Sequence, residues 1–346
     1  MTTEPTKARK PRTSTTANKT TANTRTSAKS VEMFHCVDVG NYSVKAISQG
    51  QAHPLSIRSL LVDPTHYRKQ KHSPDSPLLL LEGKQYHFGH AAREYGIPVK
   101  PLVLGDKNEP ELFKAAVLST LQPGEDGEAL TVRLRVTVPN TYREETEQSI
   151  IETLTGKHTY TVNGLNATAT VLSVDVLTEG IPAYHYAKGL GLVPDRGYTL
   201  LIDIGGGTFN VLVFSPDGRV VGQPQSTHHG GGIALAQRIA NIHSIQAKLN
   251  SVPDLSIIQD GITDGSNAYG MLDVGWGDMM PAITEEWFKE GVNAMLVMCG
   301  QYLPQVKRIL FTGGNANLLR PWIEKGALNE VIPNPTVANV LGLLSV

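Results

Sequence analysis

Cysteine is nearly missing from this sequence: two residues in 346, Cys36 and Cys299, far apart and both in apolar contexts. A disulfide scaffold is therefore excluded, and a reducing, cytoplasmic setting is expected. No apolar run reaches membrane-spanning length, and the polar N-terminus lacks the apolar core of a signal peptide, so no membrane role is expected. His35, His53, His72, His87 and His90 lack the helical spacing of a metal site and read as surface or packing histidines. What remains, 40% hydrophobic and 18% charged residues, is the composition of a soluble globular chain long enough for two domains, or for one large domain divided by a cleft.

The net charge of −1 hides an asymmetry. Residues 1–30 hold seven Lys or Arg and one acidic residue, Glu4, whereas the remainder holds 24 basic and 31 acidic residues. The same leader has almost no large apolar side chain, so it cannot offset the entropy of ordering and is expected to be disordered. Its charge suits weak, salt-sensitive contact with nucleic acid or an acidic partner, although a solubilising role is the plainer reading.

The stretch from Leu200 to Phe214 is the most informative part of the chain. An apolar run reaches Asp203, then Gly205, Gly206, Gly207 and Thr208 follow, and a second apolar run begins at once. This reads as a β-hairpin of two buried strands. Three glycines let backbone N–H groups approach an anion, and Asp203 stands fixed beside that nest. Anion-binding amides beside a carboxylate suit a phosphate carrying a divalent cation. Taken alone, the same residues also make a tight structural hairpin. Phe34 to Ile47 repeats the outline: strand, Asp38, a turn at Gly40 and Asn41, strand, with Lys45 seven residues after Asp38. Two such hairpins imply two similar halves facing each other across a cleft.

Other stretches fill in the architecture. Pro77 to Gly89 reads as a hairpin turning at Glu82 and Gly83, and Glu111 to Leu121 as a helix. Thr131 to Val138 alternates as a strand, and Thr141 to Glu144 is a capping box opening a helix to about Thr155. Val171 to Leu177 is a strand that runs into Glu179 and a helix begun by Pro182. Glu179 at that junction has a plain role in steadying the helix N-terminus. Gly230, Gly231 and Gly232 precede an expected helix, Ala234 to Lys248, and let backbone approach something, a ligand at the helix N-terminus being one candidate. Ser251 to Pro281 is polar and poorly patterned. Thr284 is the expected N-cap of a helix to Met298. A third glycine turn, Gly313 and Gly314 before Asn315, ends the strand starting at Val306. The C-terminal helix carries Ala338 and Gly342, small enough for close packing.

In this order the motifs resemble those of the actin–chaperone–sugar-kinase ATPase superfamily, over roughly Phe34 to the C-terminus. Val37 to Lys45 is similar to its first phosphate loop, Ile202 to Thr208 to its second, and Leu310 to Asn315 to its adenosine motif. Glu179 and Ala338 to Gly342 fall where the two connecting helices lie. Within that superfamily the likeness is to actin-like proteins of the ParM/StbA type. The resemblance implies an α/β, actin-like ATPase fold: two similar ribonuclease H-like domains around a nucleotide cleft. It divides the chain into the leader, domain I at 31–198 with an insertion at about 53–129, and domain II at 199–346 with an insertion at about 245–282.

It also implies ATP, with GTP as an alternative, clamped by Gly40, Asn41, Tyr42 and Lys45 on one side and Gly205 to Thr208 on the other. Gly313, Gly314 and Asn315 would flank the nucleoside, with Gly232 also counted among the cofactor-binding residues. Asp38 and Asp203 would hold Mg²⁺, and Glu179 would act on the attacking water. The implied activity is nucleotide-dependent assembly into head-to-tail filaments, for plasmid DNA partition through a DNA-binding adaptor. A small-molecule kinase of the same superfamily and a non-catalytic cytoskeletal scaffold are the alternatives. Asn210 departs from the pattern, standing where the second phosphate loop often has Asp.

Overall fold

The computed structural model describes residues 1–2, 32–102, 109–139, 144–228 and 230–346. The expected leader disorder and the capping residues from Thr141 fall outside these, the first two residues apart. The described residues build two sheets. In order, the first half contains β1 (Glu32–Val39), β2 (Ser43–Ser48), β3 (Leu55–Arg58), β4 (Leu60–Val62), β5 (Leu78–Leu81), β6 (Lys84–Phe88) and β7 (Lys100–Pro101). Then come α1 (Pro110–Leu118), β8 (Glu128–Val138), α2 (Glu144–Leu154), β9 (Gly156–Val162), β10 (Leu165–Thr178) and α3 (Ile181–Gly189). The second half opens with β11 (Tyr198–Ile204), β12 (Thr208–Phe214), β13 (Gln225–His228), α4 (Gly232–Ala240), α5 (His243–Leu249) and α6 (Leu255–Thr263). It closes with α7 (Met280–Met298), β14 (Val306–Thr312), α8 (Ala316–Ile323), β15 (Asn329–Val331) and α9 (Ala338–Ser345).

The two sheets share a motif. One contains the run β3-β2-β1-β8-β10, and the other is β13-β12-β11-β14-β15. In each, the first three strands pair antiparallel and the last three parallel. Beyond β10 the first sheet continues through β9, β5, β6, β4 and β7. Every residue of β2 and of β12 is buried, so both faces are covered, as near-continuous apolar runs require. Each sheet has its own core, one around Val37, Phe113 and Leu134, the other around Ile202, Trp287 and Leu319.

The C-terminal helix crosses α3 at the joint between the halves. A Cβ on Gly342 would overlap the Pro182 carbonyl, so the small residue there is what permits the approach. Val340 and Leu343 of α9 bury themselves with Cys36 and Ile47, each contributing about 1.5–3 kcal/mol.

Several expectations need correction. The helix placed at Ala234 to Lys248 is two, α4 and α5, broken at Asn241 and Ile242. Thr284 is no N-cap: α7 begins a turn earlier, and Thr284 is fully buried inside it. The stretch read as unpatterned holds α6, capped by Asp254, whose side chain accepts from Ser256 N. The strand expected from Val171 begins at Leu165, paired with the unforeseen β9. Asn163 and Gly164, both at positive φ, make the turn between them, a signal that the Asn-Gly pair carries in the sequence. Cys36 and Cys299 are free and buried, as expected. His35 and His87 are buried packing residues.

Candidate functional site

Two hairpin turns meet across a cavity of about 500 Å³. One is Gly40-Asn41-Tyr42 between β1 and β2, and the other is Gly205-Gly206-Gly207 between β11 and β12. They are packed against each other. A Cβ on Gly206 would lie 2.9 Å from Tyr42 Cβ, and one on Gly207 would overlap Asn41 Nδ2. A larger residue at Gly206 would press on the Tyr42 backbone and wedge the turns apart, which explains that glycine.

The registers correspond residue for residue. On β1, Asp38 lies opposite Lys45 of β2 and beside Thr137 of β8. On β11, Asp203 lies opposite Asn210 of β12 and beside Thr312 of β14. Both aspartates are buried, 6% and 4% exposed, yet both line the cavity. Thr137 Oγ1 donates to Asp38 Oδ1 at 2.7 Å, and Lys45 Nζ stands 3.7 Å from Asp38 Oδ2. Among the described residues, the side chain that donates to Asp203 is Asn339, at 3.3 Å, and Thr312 Oγ1 donates instead to the Pro335 carbonyl. Burial first, and then the Asp38 charge, pushes the Asp203 carboxyl up to about 6.

Glu179 enters the cavity from the end of β10. Its backbone N–H donates to Val138 O at 2.8 Å, which fixes where the strand hands over to α3. Asn210 Nδ2 donates to Glu179 Oε2 at 3.4 Å, and Asn210 Oδ1 accepts from Ser226 Oγ at 2.7 Å. The residue that departs from the family pattern is thus an orienting partner for Glu179. An aspartate in its place could not donate and would repel.

The third glycine turn supports the second hairpin from below. Asn315 Nδ2 donates to Gly205 O at 2.9 Å, and Asn315 N to Ile204 O at 3.2 Å. The start of α4 does the same from the side. Gly232 N donates to Gly205 O at 3.0 Å and Ile233 N to Gly206 O at 2.7 Å. The backbone that the Gly230–Gly232 run lets in is therefore the glycine turn itself, and Gly232 contributes wall rather than a free amide.

Every residue that the resemblance assigned to nucleotide, metal or catalysis lines this cavity: Glu179, Asp38, Gly40, Asn41, Tyr42, Lys45, Asp203, Gly205, Gly206, Gly207, Thr208, Gly232, Gly313, Gly314 and Asn315, whereas Gly230 and Gly231 do not. Sequence reading missed Asn339, whose Oδ1 accepts from Gly180 N at 3.1 Å while its Nδ2 holds Asp203. A buried amide inside a small-residue helix was the available signal. It also missed the α6 contribution, Gln259, Ile262 and Thr263, because that helix was not recognised.

The donor set bears on a cation. Among the described residues no group of three or more His, Cys, Asp or Glu is placed to enclose a metal. Two buried carboxylates, of which Asp203 is held above its ordinary range, beside turns of backbone amides, instead fit a hydrated divalent ion that phosphates help to hold.

Comparison with known proteins follows this geometry. Residues 36–181 match the family described as the N-terminal domain of actin-like proteins. Among solved structures, the chain is similar to an archaeal actin homolog in complex with ADP, at 19% identity and a TM-score of 0.72 over 91% of this chain and 98% of that one. It is also similar to a 15-stranded ParM filament from Clostridium botulinum, at 15% identity and TM-score 0.72, covering 91% and 98%. The actin-like protein Alp7A gives 15% identity and TM-score 0.65, covering 91% and 96%. No curated protein sequence matches.

Proposed function

We propose, from the premise that this chain has an actin-like fold, that it is a nucleotide-dependent filament-forming ATPase. The observation that carries the reading is the pair of aspartate-bearing hairpins in matching register, their turns facing across one cavity that Glu179 enters. Domain I at 31–198 and domain II at 199–346 supply one hairpin each. The amides of the two turns would clamp the phosphates, and Lys45 would add a flexible point charge. Asp38 and Asp203 would hold Mg²⁺ through water, and Mg²⁺ bound there would neutralise phosphate charge. Glu179, steadied by Asn210, would orient the attacking water and take its proton. Gly313, Gly314 and Asn315 would flank the nucleoside. ATP is the proposed substrate, with GTP fitting the same contacts.

Head-to-tail contact between such subunits does not close on itself and yields filaments. Similarity to a ParM filament supports assembly with copies of this chain, and plasmid partition through a DNA-binding adaptor in the cytoplasm is the role proposed for it. The test is light scattering and negative-stain microscopy of purified protein with ATP, with ADP and without nucleotide. Filaments with ATP support the reading. Turnover without scattering, dependent on an added small molecule, would replace it with a kinase.

A further inference from the structure

The helix α6 lies on the second half, yet one of its faces is bound almost entirely by the first. Ser256, Gln259, Asp260 and Thr263 recur at helical spacing and form that face. Asp260 is its centre. Its Oδ1 accepts from Arg58 Nε at 2.8 Å and from Tyr42 OH at 3.0 Å. Its Oδ2 accepts from Arg93 Nη1 at 2.5 Å and faces His90 Nδ1 at 3.9 Å. All four partners belong to the first half: Tyr42 to the hairpin turn, Arg58 to β3, His90 and Arg93 to the short 3-10 turn His90–Tyr95. Arg93 Nη2 also donates to Ser256 Oγ at 2.8 Å, and Arg58 Nη2 reaches Gln259 Oε1 at 3.4 Å. The Asp260 and Arg58 side chains are only 16% and 3% exposed, so water competes weakly for these bonds.

The same cluster reaches into the first hairpin turn. Arg58 lies over the Tyr42 ring, 3.7 Å from its centroid, and donates from Nη1 to the Tyr42 carbonyl at 2.5 Å. Tyr42 in turn sits against Gly206 of the opposite turn. The next residues along α6, Ile262 and Thr263, line the cavity.

We infer that Asp260 is the catch of the cleft: by binding Arg58, Arg93 and Tyr42 together it holds the two halves closed and governs how fast a bound nucleotide escapes. Neither half can swing away without separating one carboxylate from two guanidinium groups. Once Asp260 lets go, Arg58 and Tyr42 lose their common anchor, and the first hairpin turn loosens with them. Asp260 is a positioning residue, since it acts through Tyr42 and Arg58. The consequence for release rests on the nucleotide reading above, whereas the closure itself does not.

Asp260→Asn and, at the more exposed rim, Arg93→Gln test this in the full-length protein. Hydrogen exchange without nucleotide reads closure directly. Both variants should speed exchange at residues 40–43 and 256–263 while leaving the β8 and β14 cores protected. Stopped-flow release of a fluorescent ATP analogue reads the consequence. Release should quicken by about tenfold or more in each variant, with the double variant no faster than the quicker single one. Wild-type release should accelerate with added salt, and release from Asp260→Asn should not, a difference that a loss of general stability would not produce. Unchanged exchange in both variants overturns the catch. Faster exchange in a protein whose wild type binds no nucleotide would keep the catch and sink the nucleotide reading instead.

Discussion

The two hairpins are built to one register and equipped in opposite ways. Asp38 has a threonine hydroxyl at 2.7 Å and an ammonium at 3.7 Å. Asp203 occupies the matching place on β11, but its threonine is turned to Pro335 and the position of the ammonium is taken by Asn210. The first half brings its own cation; the second brings glycine, a polar arm to Glu179 and a carboxylate whose ionised form is poorly compensated. Duplicated topology therefore does not give duplicated chemistry. The cavity is asymmetric because one half supplies charge and the other supplies a glycine turn and space.

The largest expected effect comes from the residue that the second hairpin steadies. Glu179→Gln keeps the shape and the contact to Asn210 but removes the proposed base, so ATP turnover should fall by about 10²–10⁴-fold while nucleotide binding persists. Filaments should still assemble with ATP and disassemble more slowly. Unchanged steady-state phosphate release would remove Glu179 from the mechanism.

Next is Asp203→Asn. In the unfolded chain this carboxyl titrates near 3.8 and in the fold at about 6, so folding takes up a proton between those values. Its contribution to stability therefore falls as pH rises through that window, and the full cost, about 3 kcal/mol, is present above pH 6. The variant should melt higher than wild type at pH 7.5 and no differently at pH 3.5, and it should lose magnesium-dependent nucleotide binding. A lower melting temperature at pH 7.5 would contradict the strained-carboxylate account. Asp38→Asn should show no such gain, because it discards a compensated ion pair.

His35, elsewhere on β1, gives the opposite sign and serves as a control. Burial lowers its imidazole to about 3 from an ordinary 6.5, held between Ser48 Oγ and Thr120 Oγ1 at 2.8 Å each. Stability should be lost as pH falls below 6.5, at a rate of up to about 1.4 kcal/mol per unit. Chemical denaturation of His35→Gln between pH 4 and 6.5 should show a flatter dependence than wild type.

How much of this could be read in the chain varies with the range of the interaction. Each hairpin declares itself locally: an aspartate ending an apolar run, a three-residue turn, a second apolar run. Their facing each other followed from their repetition. Asn339 did not announce itself, because its role depends on α9 crossing α3 so that one amide reaches both Gly180 and Asp203, residues 159 and 136 positions away. The α6 helix was obscured by Gly261, which weakens a helical pattern but is required where Ala268 O and the Trp276 ring fill the space of a Cβ. With that helix went Asp260, whose partners lie more than 160 residues earlier. Local punctuation is visible in sequence, and contacts that depend on docking are not.

The smallest effect is the sharpest test of the comparison. Asn210→Asp would place a carboxylate opposite Asp203 on the ladder and within reach of Glu179, where an amide now donates at 3.4 Å. Like charge disfavours ionisation, so the Asp203 carboxyl would be pushed up further, and Glu179 would lose the amide that donates to it. Ser226 could still donate to the new side chain, so the fold should hold. Turnover should drop by about tenfold, the equivalent of about 1.4 kcal/mol and the size expected when one orienting hydrogen bond is lost. Asn210→Lys instead would copy the first hairpin and lower the Asp203 carboxyl. If Asn210→Asp turns over as fast as wild type at every pH, Asn210 does not steady Glu179, and the asymmetry between the hairpins is one of packing alone.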